Sequence, residues 1–406
     1  MMQRPQLASY RDCTGCMLCA DTCTKEAIRF HIDENGFWKP QVDATLCVGC
    51  KQCERKCAAV RSNELHPASR TPAKGHATAD EVRRRSTSGG IFYALAQTAV
   101  KRHRAVVFGA VCDGCSVHHK GVETLQDLAH LQGSKYAQSN TSGIYRQVRT
   151  HLKAGRFVLF SGTPCQVNAL RVYLGKEYEN LLTVDLVCHG VPSYTLAERH
   201  LAVNKGDAVE HFRTKSYGWG QDSYVTMKRR GESVTVTDRF ANVFYHMFSA
   251  ELAFRPNCYQ CRFNGIHRTG DITIGDYWKA RNTDEYDPLG ISCILPNTER
   301  AYRFLAECDN ICMQPESWEN ILSSNPRLVT NRREYLDFAL SCRLGWLYRW
   351  LPARLADRIL EAFRSKRRPF SYCWAVYLDR KRRAYRQRYA REKDVLLNQL
   401  KSQAEH

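Results

Sequence analysis

The sequence predicts three consecutive parts. They are an α+β cysteine-rich module at residues 1–61, an α/β domain at residues 81–326 behind a linker at 62–80, and a mainly helical basic tail at 327–406. Three observations predict them. Two four-cysteine runs of equal spacing fall between Cys13 and Cys57. From about Glu81, short apolar runs alternate with helical stretches, the pattern of a mostly buried sheet covered by helices. After residue 326 the chain becomes strongly basic, with 20 Lys and Arg against 8 Asp and Glu. That tail carries most of the net charge of +19, so the charge says little about the rest of the chain.

The first run is Cys13-x2-Cys16-x2-Cys19-x3-Cys23 and the second Cys47-x2-Cys50-x2-Cys53-x3-Cys57. This is the ligand spacing of a two-cluster bacterial-type ferredoxin. Three cysteines at x2 spacing wrap one face of a 4Fe–4S cube, and the fourth points away to serve the other cube. The expected sets are Cys13, Cys16, Cys19 and Cys57 on one cube, and Cys47, Cys50, Cys53 and Cys23 on the other. Thr24 and Ala58 stand where the usual pattern has Pro. Structural zinc also uses x2 pairs, but gains nothing from a third x2 step. A disulfide framework would need an oxidising compartment, and no secretory signal precedes these cysteines. Between the runs, a short helix after Cys23 is expected, then a β-hairpin with Asn35-Gly36 at its turn.

Residues 62–80 are polar, with Pro67 and Pro72, and read as a linker. Beyond it, Ile91 to His103 reads as a helix and Ala105 to Val111 as a buried strand. Ser142 to Lys153 reads as a helix and Phe157 to Phe160 as a strand. Pro164 to Leu174 fits a helix with Pro in its first turn, followed by a strand from Leu181 to Val187. Later strands are expected at Tyr224 to Lys228, Asp271 to Gly275 and Ile291 to Leu295. Neither a G-x-G-x-x-G after a strand nor a P-loop is present, so a cofactor here must be held in another way.

Several segments carry candidate chemistry. Ser86-Thr87-Ser88-Gly89-Gly90 precedes a helix, where backbone N–H groups can meet an anion; a plain cap with turn glycines explains it equally well. Gln132 to Asn140 mixes a cation, an aromatic ring and hydrogen-bonding side chains, which suits a loop gripping a polar cofactor or an ordinary solvated loop. Cys165 and Cys188 fall at carboxyl ends of expected strands, where α/β domains put ligands. With Cys258-x2-Cys261 they make four thiols, the number a third cube requires. Buried single cysteines are also common small hydrophobes, and Cys112-x2-Cys115 is a competing pair. Cys293, Cys308, Cys312, Cys342 and Cys373 read as structural.

Six stretches together resemble the coenzyme F420 hydrogenase/dehydrogenase beta-subunit family. They are Ser88-Gly89-Gly90, Gly133-Ser134-Lys135-Tyr136, Gly162 to Gln166, Asp185 to Pro192, Cys258 to Cys261, and Arg268 with Gly270 to Trp278. They occur in the family's order, and the resemblance spans roughly residues 8–300. It implies a bound FAD coupled to iron–sulfur clusters, exchanging two electrons with an organic partner such as coenzyme F420 or a chlorophyll derivative. By the same resemblance the FAD residues are Ser88, Gly89, Gly90, Ser134, Lys135, Tyr136, Gln138, Ser139, Thr163 and Pro164. Cys165, Cys188, Cys258 and Cys261 would hold a third cluster. The implied function is an iron–sulfur flavoprotein oxidoreductase between a ferredoxin-like donor and a small-molecule two-electron substrate. A second reading is an electron-transfer subunit feeding a partner enzyme, for example in polysaccharide biosynthesis. A third is a basic scaffold with structural or redox-sensing clusters. His189 can be read as a proton donor or as a structural imidazole, and no catalytic residue is assigned.

No apolar run approaches the roughly 18 residues of a membrane span, and the start lacks an apolar core of a leader, so the chain is expected in the cytoplasm. In the tail, Arg354 to Phe363 has apolar residues at helical spacing, with Trp346, Trp350 and Trp374 among arginines and a basic run at Arg380 to Arg383. Such a helix can lie on the cytoplasmic face of an anionic membrane, or pack on the core with a solvated basic face. Nucleic-acid binding is disfavoured because no recognised module accompanies the charge.

Overall fold

The computed structural model describes residues 5–329, except 62, 63, 222, 223 and all but four of 238–253, together with residues 387–403. In the cysteine-rich module, α1 (Leu18–Thr22) is followed by the hairpin β1 (Ile28–Ile32) and β2 (Trp38–Val42), then α2 (Gln52–Arg55). The expected helix after Cys23 lies before it instead, and Cys23 caps its C-terminus. The reason is local. Gly15 (φ 65°) and Met17 (φ 63°) turn the backbone through the left-handed region around Cys16, and the helix starts immediately after. Gly49 (φ 66°) and Lys51 (φ 57°) repeat the device around Cys50 before α2. The hairpin turn is at Asn35-Gly36 as expected. The Asp33 carboxylate accepts the N–H groups of Asn35 and Phe37 at 2.9 and 3.0 Å.

The α/β part runs β3 (Ala73–Ala77), α3 (Asp80–Arg85), α4 (Ile91–His103), β4 (Val106–Asp113), β5 (Ser116–Val122), α5 (Leu125–Leu131), α6 (Ile144–Lys153), β6 (Val158–Gly162), α7 (Pro164–Leu174), β7 (Leu181–Leu186) and α8 (Tyr194–Asn204). After these come β8 (Ala208–His211), β9 (Thr226–Arg229), β10 (Glu232–Thr235), β11 (Ile272–Asp276), β12 (Ser292–Pro296), α9 (Glu299–Ala306), β13 (Ile311–Pro315) and α10 (Trp318–Ser324). Eight strands form one sheet in the order β13-β3-β12-β11-β7-β6-β4-β5. Its centre, β11-β7-β6-β4, is parallel, and antiparallel strands complete both edges. A small antiparallel sheet, β10-β9-β8, stands apart.

Residues 73–77, read from sequence as linker, are a strand inside this sheet. Its inward positions are Ala73, Gly75 and Ala77, too small to give an apolar signal. Gly75 is required there, because a Cβ would lie 2.4 Å from the Cys312 carbonyl oxygen.

Both faces of the sheet are buried, as a central parallel sheet demands. In β6, Leu159 packs on one side with Leu95, Leu182 and Phe304. Val158 and Phe160 pack on the other with Tyr145, Val167 and Leu170. Cys16, Leu18 and Ala58 join that second cluster, so the cysteine module shares a core with the α/β part.

Most of the basic tail, including Trp346, Trp350, Arg354 to Phe363, Trp374 and Arg380 to Arg383, lies outside the described residues. Residues 387–403 form α11. Its Leu396, Leu397 and Leu400 pack with Ile321, Leu322 and Leu328. The Tyr389 hydroxyl donates to the Leu322 carbonyl at 2.8 Å, and Lys393 Nζ donates to Ser323 Oγ at 2.9 Å. Among the described residues no helix is long and apolar enough to cross a membrane.

His200 in α8 is fully buried, and neither ring nitrogen has a hydrogen-bond partner. Burial lowers its pKa to about 4, below the ordinary 6.5. The unfolded chain therefore binds the extra proton first, and stability falls as the pH drops from about 6.5 towards 4. In urea titrations at a series of pH values, His200→Leu is expected to flatten that part of the profile and leave the midpoint at pH 8 nearly unchanged.

Candidate functional site

The fold gathers thiols into three groups. In the first, Cys13, Cys16, Cys19 and Cys57 come together. Burial, then the neighbouring sulfurs, pushes the Cys16 thiol up to about 11, and Cys13, Cys16 and Cys57 all act on Cys19. Backbone N–H groups are already aimed at sulfur, Gly15 N donating to Cys13 Sγ at 3.4 Å. In the second group Cys23, Cys47, Cys50 and Cys53 line one small, partly open recess. The third is gathered from distant segments: burial raises the Cys165 thiol well above its ordinary range, with Cys261, Cys188 and Cys258 contributing. Among the described residues no three His, Cys, Asp or Glu side chains close on a single metal ion.

The third group depends on a buried carboxylate. Asp185, fully buried near the end of β7, accepts from Arg268 Nη2 (3.2 Å), Thr269 N (3.1 Å), Thr269 Oγ1 (2.8 Å), Gly270 N (3.1 Å) and Thr273 Oγ1 (2.5 Å). Arg268 also donates to the carbonyls of Phe263, Gly265 and Leu186. These bonds hold the segment after Cys261 against the strand that leads to Cys188. Gly270 permits the approach, since a Cβ would stand 2.8 Å from Asp185 N. Cys165 sits in the first turn of α7, fixed by a capping box between Thr163 and Gln166. Thr163 Oγ1 lies 3.2 Å from Cys165 Sγ, and the Pro164 carbonyl accepts from Thr269 Oγ1 at 3.1 Å.

The first and third groups are linked by Arg255, three residues before Cys258. Its buried guanidinium donates to the Cys13 carbonyl (2.7 Å), the Trp38 carbonyl (2.9 Å) and Gln138 Oε1 (3.1 Å). Gln138 Nε2 in turn donates to the carbonyls of Thr14 (2.7 Å) and Gly15 (3.1 Å). A Cβ at Gly15 would fall 2.7 Å from Gln138 and 2.8 Å from Arg255. Tyr145 completes the link: its hydroxyl donates to the Cys16 carbonyl at 2.8 Å. Burial raises that phenol well above its ordinary range, and Cys16 and Cys165 both add to the shift.

The segments expected around a cofactor divide into two sets. The loops at 86–90 and 132–136 meet: Ser134 N donates to Thr87 Oγ1 at 2.7 Å and Gln132 Nε2 to Ser86 Oγ at 2.9 Å. Ser88 and Gly89 are turned toward β12, Ser88 Oγ donating to the Ile291 carbonyl and Gly89 N to Ser292 Oγ. Gly90, at φ 87°, caps α4. Lys135 Nζ donates to the carbonyls of His130 and Gln132, and burial lowers its pKa to about 8. Tyr136 packs on Phe248 at 4.7 Å, and His189 packs on the same ring at 5.0 Å. Gln138 and Ser139 belong to the second set. Gln138 serves the first cysteine loop, and Ser139 Oγ pairs with His119 Nδ1 at 2.5 Å. Cys112 and Cys115 pack against the cluster of Val117, Leu196 and Phe212, as Cys258 does.

Sequence reasoning missed a knot of charge beside the 86–90 loop. Lys215 Nζ donates to the backbone carbonyls of Arg83, Ser88 and Leu289. Burial, then Arg213 and Arg83, lowers its pKa to about 7. Arg213 pairs with Asp276 at 2.8 Å and lies over the Trp278 ring, while Trp219 Nε1 donates to Asp276 at 2.8 Å. Asp276 belongs to a stretch already singled out, but Arg213 and Lys215 follow no periodic pattern that would mark them.

The cysteine module defines an iron–sulfur electron-transfer protein: residues 12–59 match the 4Fe-4S dicluster domain. Residues 155–315 match the family described as the C terminus of the coenzyme F420 hydrogenase/dehydrogenase beta subunit. Among solved structures the chain resembles a component of the F420-reducing NiFe hydrogenase complex from Methanosarcina barkeri, at 17% identity and a TM-score of 0.47, covering 68% of this chain and 94% of that one. No curated protein matches the sequence.

Removing one partner of a buried ion pair strands the other charge, at a cost of about 3–5 kcal/mol. Asp185→Ala is expected to lose that much stability in urea unfolding of the metal-free chain, because Arg268 and four other donors lose their acceptor. Asp21, which accepts from Gly143 N and Tyr145 N and is 5% exposed, is expected to lose less on replacement by Ala.

Proposed function

We propose that this chain is an iron–sulfur flavoprotein oxidoreductase that passes electrons between a ferredoxin-like partner and an organic two-electron substrate. The observation that carries the reading is the succession of three four-thiol groups, with Tyr145 bonded to the first and within the field of the third. Thiols standing around a recess suit a cube of four irons, whereas tetrahedral zinc needs four ligands about 2.3 Å from one centre. In this reading Cys13, Cys16, Cys19 and Cys57 hold one cube and Cys23, Cys47, Cys50 and Cys53 a second. Cys165, Cys188, Cys258 and Cys261 hold the third.

The FAD expected from the family resemblance suits the meeting of the 86–90 and 132–136 loops. The start of α4 offers backbone N–H groups and a favourable dipole to a diphosphate. Lys135 and Lys215 are ammonium groups whose charge burial disfavours, so a bound anion would stabilise both. Tyr136 and Phe248 supply ring faces on the side toward His189. When bound, a flavin converts between one- and two-electron transfer, which cubes cannot do alone.

The test is anaerobic purification with iron, sulfide and flavin analysis. The expected result is three 4Fe–4S clusters and one FAD per chain. Cys188→Ala with Cys258→Ala should remove about one third of the iron while leaving the EPR signals of the other two cubes. Full iron content in that double variant, or a chain without flavin, would overturn the reading.

A further inference from the structure

The two N-terminal thiol groups differ in their most accessible sulfur. In the first, Cys16 is buried beneath Tyr145, and Thr141 and Tyr145 both donate to its carbonyl, while Cys13, Cys19 and Cys57 are half-buried. Gln138 and Arg255 close over the loop from Thr14 to Gly15. In the second, Cys50 is exposed, and it shares a partly open recess with Cys23, Cys47 and Cys53.

The rim of that recess has a definite character. Lys25 and Lys51 line it, and no Asp or Glu does. Val48 also lines it and is 48% exposed, with Leu46 beside it at 43%. Arg55 adds a third cation, its Nη2 donating to the Cys50 carbonyl at 3.2 Å. Of the nearby carboxylates, Glu26 is ion-paired with Arg146 at 3.1 Å, while Glu54 accepts from Gln6 N at 3.0 Å and Asp43 from Thr45. Three cations beside the exposed Leu46 and Val48 are complementary to an acidic protein, and such charge steers encounter.

We propose that this rim, formed by Lys25, Leu46, Val48, Lys51 and Arg55, is the docking surface for an acidic one-electron carrier protein. The inference rests on the cluster assignments proposed above. The carrier is oxidised by one electron as the outer cube is reduced by one, and no proton or atom changes hands. The first group, bonded through Cys16 to Tyr145, then relays the electron towards Cys165.

The test measures binding of an oxidised acidic bacterial ferredoxin to the anaerobically purified full chain by interferometry, across a salt series. Lys25→Glu with Lys51→Glu is compared with wild type and with Lys153→Glu, on an exposed surface of α6 away from the recess. The expected result is binding that weakens steeply with salt, falls at least tenfold in the double variant and is unchanged in K153E. Iron and sulfide content establishes that each variant keeps its clusters. Equal binding by the double variant and wild type would overturn the inference, as would no binding by wild type at low salt. Reduction of all cubes by dithionite, followed by EPR, keeps the two readings distinguishable. A reducible chain that binds no carrier sinks only the docking surface, whereas a chain lacking the clusters sinks the assignment beneath it.

Discussion

One buried guanidinium organises the redox face of this molecule. Arg255 bonds the backbone of the first cysteine loop, the backbone of the hairpin and the side chain of Gln138 at once. It ties the cysteine module to the segment bearing Cys258, a link repeated by Asn257 Nδ2 to the Asp12 carbonyl at 2.9 Å and Arg262 Nη1 to the Ala59 carbonyl at 2.7 Å. An arginine suits this position because its planar fork can satisfy several acceptors in fixed directions, which a lysine cannot do. The approach is so close that residue 15 must be glycine, both for its φ of 65° and for lack of room. A loop whose spacing already suits iron is thereby also held against the body of the protein.

Other contacts reinforce the same docking. Asp21 accepts the N–H groups of Gly143 and Tyr145 at the start of α6, and Arg146 reaches back to the carbonyls of Ala20, Asp21 and Cys23. A carboxylate at a helix N-terminus is favoured by the dipole and by the free N–H groups there. The hairpin turn meets the start of α8, where Ser193 Oγ donates to the Asn35 carbonyl and Tyr194 N to the Gly36 carbonyl. The small module therefore does not depend on a core of its own. It shares the cluster around Phe160 and Tyr145, which offsets the little apolar surface that so short a segment can bury.

Much of the architecture was legible because it follows local rules. The helix at Pro164–Leu174 begins on a proline and ends at Gly175, and the structure gives those bounds. The parallel strands at β4, β6 and β7 announce themselves as short apolar runs. The strand at Ala73–Ala77 did not, since its packing uses alanine and glycine. The helix misplaced after Cys23 reflects left-handed residues at Gly15 and Met17, which no apolar period encodes. At the site, the eight N-terminal thiols stood out by their spacing alone. The four later thiols were only countable until the sheet placed them, because Cys165 and Cys258 are almost a hundred residues apart. Arg255 and Lys215 stayed hidden, and Asp185 was quoted in a stretch without its role, for a common reason. Their roles are set by partners distant in the chain, and a buried charge looks like any surface charge in a sequence.

The exposure of Cys50 also bears on survival in air. Cys50 stands in solvent, whereas Cys16 lies buried behind Tyr145, in the loop that Gln138 and Arg255 hold. Susceptibility of a thiol to oxidation follows its exposure. Oxidative damage would then reach Cys50 before Cys16, so a briefly aerated molecule would be modified first in its second cysteine run.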